Sequence, residues 1–253
     1  MDFTLKIYFK LLSALKNCGY SFFTFEEYCR GEATGKFVIL RHDVDLRAAH
    51  SVAVAKLENE LGIKASYYFR VVPQSNQPDK ILSIAGLGHE IGYHYEDLSL
   101  FGGDSSIAAD HFEAQLTYFR QFYPVKTICM HGSPTSGYDN RDLWKTIHYH
   151  DFGIIGEPYF DIDFNEIFYL TDTGRCWDGQ KYSIRDKVKT KFKQSFHHTS
   201  EIIEAAKNES LPQKIMITTH PQRWTNSWSE WILELFLQNI KNIIKVVISS
   251  PKL

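Results

Sequence analysis

Phe37-Val38-Ile39-Leu40-Arg41-His42-Asp43-Val44-Asp45 is the stretch on which the reading of the whole chain turns. Its first four residues form an apolar run of strand length with no polar alternation, the pattern of a strand covered on both faces. The run then ends in a cluster of ionisable groups. Similar runs recur at residues 65–69, 90–93, 126–130, 152–155, 166–170 and 214–219. Segments of helical period lie around and between them. Residues 3–16 carry Leu5, Phe9, Leu12 and Leu15, and Gly19 follows; residues 47–61 stop at Gly62. Residues 107–123 place Phe112, Leu116, Phe119 and Tyr123 on one face, and residues 199–208 end before Pro212. Ser227-Trp228-Ser229-Glu230 reads as a capping box opening a last helix to about residue 240. Strands alternating with helices predict an α/β fold with a parallel sheet, and seven strands in 253 residues suit a barrel.

Composition narrows the class. The chain has 43% hydrophobic and 23% charged residues, enough apolar material for a full core. With 28 Lys+Arg against 30 Asp+Glu the net charge is −2, which argues against a nucleic-acid partner. No apolar stretch approaches a membrane span, and Lys6, Lys10 and Lys16 break the N-terminal run, unlike a signal peptide. Cys18, Cys29, Cys129 and Cys176 are far apart with no CxxC pair, so free thiols and a cytoplasmic location are expected. No linker or repeat divides the chain. A single domain is expected, with residues 1–35 as an N-terminal helical extension and 36–253 as the barrel.

Almost every strand candidate ends in residues able to do chemistry. The first reaches Asp43 and Asp45, the second Arg70, the third His94 and Glu96, the fourth His131; later ones reach Glu157, Asp172 and His220. In α/β barrels the active site is built at these C-terminal strand ends. Asp43 and Asp45, two apart in extended chain, point to one side. One can ligate an ion while the other takes a proton from water, although an Asp there can also cap the helix starting near Arg47. His94 and Glu96 share a side and can offer imidazole and carboxylate to a divalent ion, whereas His89, five before His94, faces the other way. His131 is a third ligand or a substrate contact. His220 is placed to protonate a leaving group near neutral pH. Trp177 and Trp224 are candidate walls of a small-molecule pocket, with core packing as the plainer reading. The run Arg185, Lys187, Lys189, Lys191, Lys193 reads as a solvated face. There is no dinucleotide fingerprint, P-loop or GxSxG.

In order and spacing these segments resemble the polysaccharide deacetylase (NodB-like, carbohydrate esterase family 4) superfamily, more narrowly its branch found with bacterial surface-polysaccharide genes. The resemblance spans residues 36–224. It is carried by residues 38–45, Ala65-Ser66-Tyr67-Tyr68-Phe69, Gly88-His89-Glu90-Ile91-Gly92-Tyr93-His94, and Met130-His131-Gly132-Ser133-Pro134. Leu170-Thr171-Asp172 with Trp177, then Ile217-Thr218-Thr219-His220-Pro221, complete it. The resemblance implies a distorted (β/α)7 barrel and metal-dependent removal of an acyl group from a sugar amide or ester. By position it implies Asp43 as base, Asp45 and His94 as metal ligands and His220 as acid, with Glu96 or His131 completing the ligand set. Arg70, Asp172, Trp177 and Trp224 are the expected substrate contacts. Zinc is the expected metal, with cobalt, nickel or manganese as alternatives, and an acetylated sugar or polysaccharide intermediate is the expected partner. Two departures stand out. Val44 separates the two aspartates, and Leu98 occupies the place of the family's second metal histidine. They leave open a barrel hydrolysing another non-peptide C–N bond, or one that binds carbohydrate without turnover. Nothing in the sequence sets the oligomeric state.

Overall fold

Strand β2, Phe37–Val44, is buried along its whole length because it is paired along both edges and covered on both faces. In this computed structural model, which describes residues 1–249 except 134, 184 and 186, β2 pairs along one edge with β1 (Ser21–Phe23) and β3 (Ser66–Phe69). Its other edge pairs with β7 (Lys214–Thr219). Beyond β3 come β4 (Glu90–Tyr95) and β5 (Ile128–Met130), and beyond β7 comes β6 (Phe168–Thr171). The order is β5-β4-β3-β2-β7-β6, with β1 beside the start of β2, and every pairing is parallel. The helices are α1 (Leu5–Asn17), α2 (Phe25–Cys29), α3 (Ala48–Glu60), α4 (Pro78–Gly86), α5 (Asp97–Leu100), α6 (Ser105–Phe119), α7 (Pro158–Asp161), α8 (Thr199–Lys207) and α9 (Trp228–Ser249).

The period of two along β2 separates two cores. Val38, Leu40 and Val44 pack outward with Leu12, Val54, Ile217 and their neighbours. Phe37 and Ile39 point inward with Phe25, Tyr68, Cys129 and Met216. The sheet curls around that inner core. Three strand spacings, about 14 Å in a flat sheet, separate β5 from β2, yet His131 at the end of β5 lies 3.6 Å from Asp45 at the end of β2. The result is an α/β fold whose parallel sheet is curled into a distorted partial barrel, with β5 and β6 at its two ends.

Several elements differ from the sequence expectation, and helices α2 and α4 have no counterpart in it. Residues 152–155 are not a strand: a 3-10 turn, Tyr149–Phe152, ends at Gly153 with φ 70°, leaving only the Thr127–Gly156 bridge. Phe152 packs instead on Phe112 and Trp144. The seventh strand is β1, too short to show a period, and it brings the N-terminal residues into the barrel. The backbone N–H groups of Phe25 and Glu26 donate to Ser66 Oγ (2.7 Å) and Glu90 Oε2 (3.0 Å), so α2 closes the N-terminal end of the barrel. The last helix runs to Ser249 rather than residue 240, and the Glu230 carboxylate accepts from Thr225 Oγ1 (2.8 Å).

Candidate active site

Helix α3 begins after Arg47, which has φ 55° and no side-chain cap. Neither aspartate is spent on capping, and both project from the mouth end of β2 into the barrel. Arg41, two residues before Asp43 and on the same side, clamps it bidentately: Nε to Oδ1 is 2.8 Å and Nη2 to Oδ2 is 2.6 Å, with both side chains buried. Burial would raise the Asp43 pKa, but the guanidinium and the nearby His94 hold it below the ordinary value. Asp43 therefore stays ionised.

Three imidazoles surround Asp45, each fixed from behind. His94, on β4, has Nδ1 2.9 Å from the Cys129 carbonyl, an atom that can only accept, so Nδ1 carries the proton and the Nε2 lone pair faces inward. That Nε2 is 3.7 Å from Asp45 and 3.8 Å from Asp43. Burial lowers the His94 pKa to about 4, so its ring is neutral at neutral pH. His131 donates from Nδ1 to Glu96 (2.8 Å) and turns Nε2 to within 3.6 Å of Asp45 Oδ1. His220 has Nδ1 2.6 Å from Asp172 and Nε2 3.9 Å from Asp45 Oδ2. Against the upward push of burial, the three imidazoles hold the Asp45 carboxylate well below its usual range.

Asp45 Oδ1 is buried and has no hydrogen-bond partner among the described residues, a costly condition for a carboxylate. With the Nε2 atoms of His94 and His131 facing it, the atom fits a divalent cation held by one carboxylate and two imidazoles. Asp43, His94 and Cys129 also bring one donor atom each within 4.8 Å of one another. That trio fits a cation less well, because both Asp43 oxygens already accept from Arg41.

The other expected site residues stand behind these groups. Glu96 accepts two bonds from Arg70 (2.8 and 2.9 Å) in addition to the one from His131. It bonds His131 from behind, and the Arg70 guanidinium is paired with Glu96. Hydrogen bonds from His131 and Arg70 overcome burial and bring the Glu96 pKa to about 2. Asp172 is fully buried and accepts from the His220 backbone and ring, from Arg223 and from Trp224 Nε1 (2.8 Å). Its pKa falls to about 2 despite burial because Arg223 and His220 adjoin it. Asp172 positions the imidazole of His220 and does not line the mouth. Trp224 packs among Phe3, Tyr8 and Trp177 in the outer core. Trp177 donates to Thr199 and borders a separate cavity of about 170 Å³ beside the mouth. Leu98 is buried on α5, and His131 fills the place beside His94 instead, with ring centroids 5.2 Å apart. His42 and His89 point outward, where His42 bonds the buried Glu58 (2.7 Å) and His89 the Ala55 carbonyl (3.0 Å).

A cavity of about 90 Å³ opens over Asp43, Asp45, His94 and His131, bordered by Tyr159 and Arg185. Arg185, expected on a solvated face, donates to the Ser133 and Ser136 carbonyls (2.9 and 2.8 Å) across the mouth. Pro134, in the expected turn after His131, lies outside the described residues. Sequence reasoning gave Arg41 and Arg223 no role. The i, i+2 spacing of Arg41 and Asp43 on one strand face is the signal that marks the first; Arg223 has none, since its meeting with Asp172 depends on the fold.

No family model and no curated protein matches the chain. Among solved structures it is similar to wild-type BA3943, a CE4 family pseudoenzyme from Bacillus anthracis, at 13% identity and a TM-score of 0.47, covering 80% of this chain and 60% of that one. A mutant of BA3943 with restored enzymatic activity gives 14% identity, a TM-score of 0.47 and coverage of 81% and 64%. The chain thus spans less than two thirds of those chains' length.

Proposed function

We propose that this chain is a divalent-metal-dependent hydrolase of the polysaccharide deacetylase type that removes an acetyl group from a sugar intermediate of surface-polysaccharide synthesis, acting in the cytoplasm. The observation that carries the reading is the unpartnered Asp45 Oδ1 facing the Nε2 atoms of His94 and His131. Asp45, His94 and His131 would hold the ion, and their mixed carboxylate–imidazole set suits zinc, with cobalt, nickel or manganese as alternatives. When bound, such an ion lowers the pKa of water and polarises the acyl carbonyl.

The remaining chemistry belongs to side chains on either side. Asp43 accepts the proton of the attacking water; the Arg41 clamp fixes its direction and keeps it ionised, at the expense of basicity. His220, held through Nδ1 by Asp172, presents Nε2 to protonate the departing amine or alkoxide. Tyr159 and Arg185 border the space left for the sugar. The same groups would serve hydrolysis of another non-peptide C–N bond, so substrate trials decide the acyl group.

Elemental analysis of purified protein, alone and after loading with zinc, cobalt, nickel or manganese, tests the reading. Near one equivalent of metal in wild type, lost in His94→Ala, together with acetate release from acetylated sugars, is the expected result. Wild type that takes up no metal under any loading overturns it. The barrel would then bind sugar without turnover, the reading that Leu98 favours.

A further inference from the structure

Helix α9 lies on the domain with its polar side inward. Glu234, Gln238 and Asn242, each four residues apart, are buried. Arg47 Nη1 approaches Glu234 to 3.6 Å, Gln238 donates to Asn242 (2.7 Å), and Asn242 donates to the Gly174 carbonyl (2.9 Å). The opposite face is apolar and open. Leu233, Phe236, Ile240 and Ile243 are 49, 63, 41 and 66% exposed, flanked by Ile232 and Ile244 at 54 and 49%. An ordinary surface helix has the reverse arrangement. The exposed residues follow 3-4-3 spacing, the repeat with which one α-helix packs its side chains between those of another.

We propose that a second copy of this chain covers this face, α9 packing antiparallel against α9 about a two-fold axis near Phe236. Charge complementarity sets the direction. Glu230, with 45% of its side chain exposed, and Lys241, also exposed, are eleven residues apart, about three turns, and lie on one flank of the apolar face. In an antiparallel pair, like flanks meet, and an axis between Leu235 and Phe236 brings Glu230 of each copy level with Lys241 of the other. In a parallel pair unlike flanks meet, so the Glu230 and Lys241 side chains of the two copies would lie on opposite sides and could not pair. The area is sufficient. Nine large apolar side chains of α9 are between 37 and 66% exposed, and together they present an area on the order of the roughly 800 Å² that each partner buries in a stable dimer. An anionic membrane surface would favour a flank of cations alone, whereas this flank carries both signs.

Sedimentation velocity and light scattering of the full chain at micromolar concentrations test the proposal. Wild type is expected at twice 29.4 kDa, and Phe236→Glu or Ile243→Lys at 29.4 kDa with unchanged far-UV circular dichroism; two variants guard against a local folding failure. Glu230→Lys and Lys241→Glu should each weaken the dimer about tenfold, and combining them should restore it. A monomeric wild type overturns the proposal, and flotation of that monomer with anionic phosphatidylserine vesicles would assign the face to a membrane surface instead. A dimer indifferent to Phe236→Glu and Ile243→Lys overturns it as well, and a dimer insensitive to the charge exchanges overturns the antiparallel register.

Discussion

Arg41 and Asp43 illustrate how much one pair of residues determines. The guanidinium keeps Asp43 charged in a buried site, so its removal should raise the Asp43 pKa towards the ordinary carboxylate value. A group with a raised pKa loses its ionised form at higher pH. Arg41→Met is therefore expected to move the acid limb of the pH–rate profile upwards and to lower kcat by about 10- to 100-fold, with metal content retained. An unmoved acid limb would remove Asp43 from the role of base. Glu96 and His131 separate in a second comparison. His131→Ala should abolish metal uptake, while Glu96→Gln should weaken it by about 10- to 100-fold, as loss of a group orienting a ligand does. Equal loss in both would mean that Glu96 is itself a ligand. Leu98→His should not add a ligand. Its side chain, on α5, packs in the outer core, so the substitution buries an imidazole and costs about 1–3 kcal/mol, measurable by urea unfolding.

At the scale of elements, the curl of the sheet depends on close contacts inside it. Gly92 of β4 faces the inner core. A Cβ there would collide with the Tyr68 ring and come 2.9 Å from the Thr127 carbonyl. Tyr68 is itself tied to Thr127 Oγ1 at 2.8 Å and cannot move away without losing that bond. Gly92→Ala should destabilise the protein by about 1–3 kcal/mol in urea unfolding; a neutral result would mean the barrel has room to widen. Elements were legible in the sequence where a period or an apolar run had a clear stop. The strands at 37–40, 90–93 and 214–219 follow from apolar runs that stop at ionisable residues, and the helix at 199–208 follows from its period and stop signal. Residues 152–155 deceived because the run is interrupted by Gly153, whose positive φ ends the extended chain. β1 escaped because three residues cannot show a period.

For the whole molecule, buried carboxylates give stability opposite dependences on pH. Asp172 and Glu96 have folded pKa values of about 2, below their unfolded ones. The stability they add is complete above the unfolded values and is lost as pH falls towards 2. Glu90, at the N-terminal end of the barrel, is the reverse. Burial raises its pKa to about 7 although Ser66 and Thr127 donate to it. The folded state then holds a proton that the unfolded state releases near pH 4.5, so stability is lost as pH rises from about 4.5 towards 7. Glu90→Gln, measured in chelator so that metal does not intervene, should gain in Tm relative to wild type between pH 5 and pH 8. A Tm difference independent of pH would mean Glu90 is ionised throughout. Among the described residues no helix is long and apolar enough to cross a membrane, and α9 exposes an apolar face to solvent.

The sequence by itself determined the alternation of strands and helices and the concentration of Asp43, Asp45, His94, His131 and His220 at strand ends. Both are local properties, set by side-chain period and by where an apolar run stops. What each group does was decided only by the tertiary structure, because it depends on which atoms meet across strands that are distant in the chain. Glu96 became the partner of His131, Asp172 the partner of His220, and His131 rather than Leu98 the neighbour of His94, once the sheet curled and brought β2, β4, β5 and β7 to one mouth. Hydrogen-bonding capacity is written in a residue's type, but its use is settled by the nearest donor or acceptor, and spacing along the chain does not specify that distance.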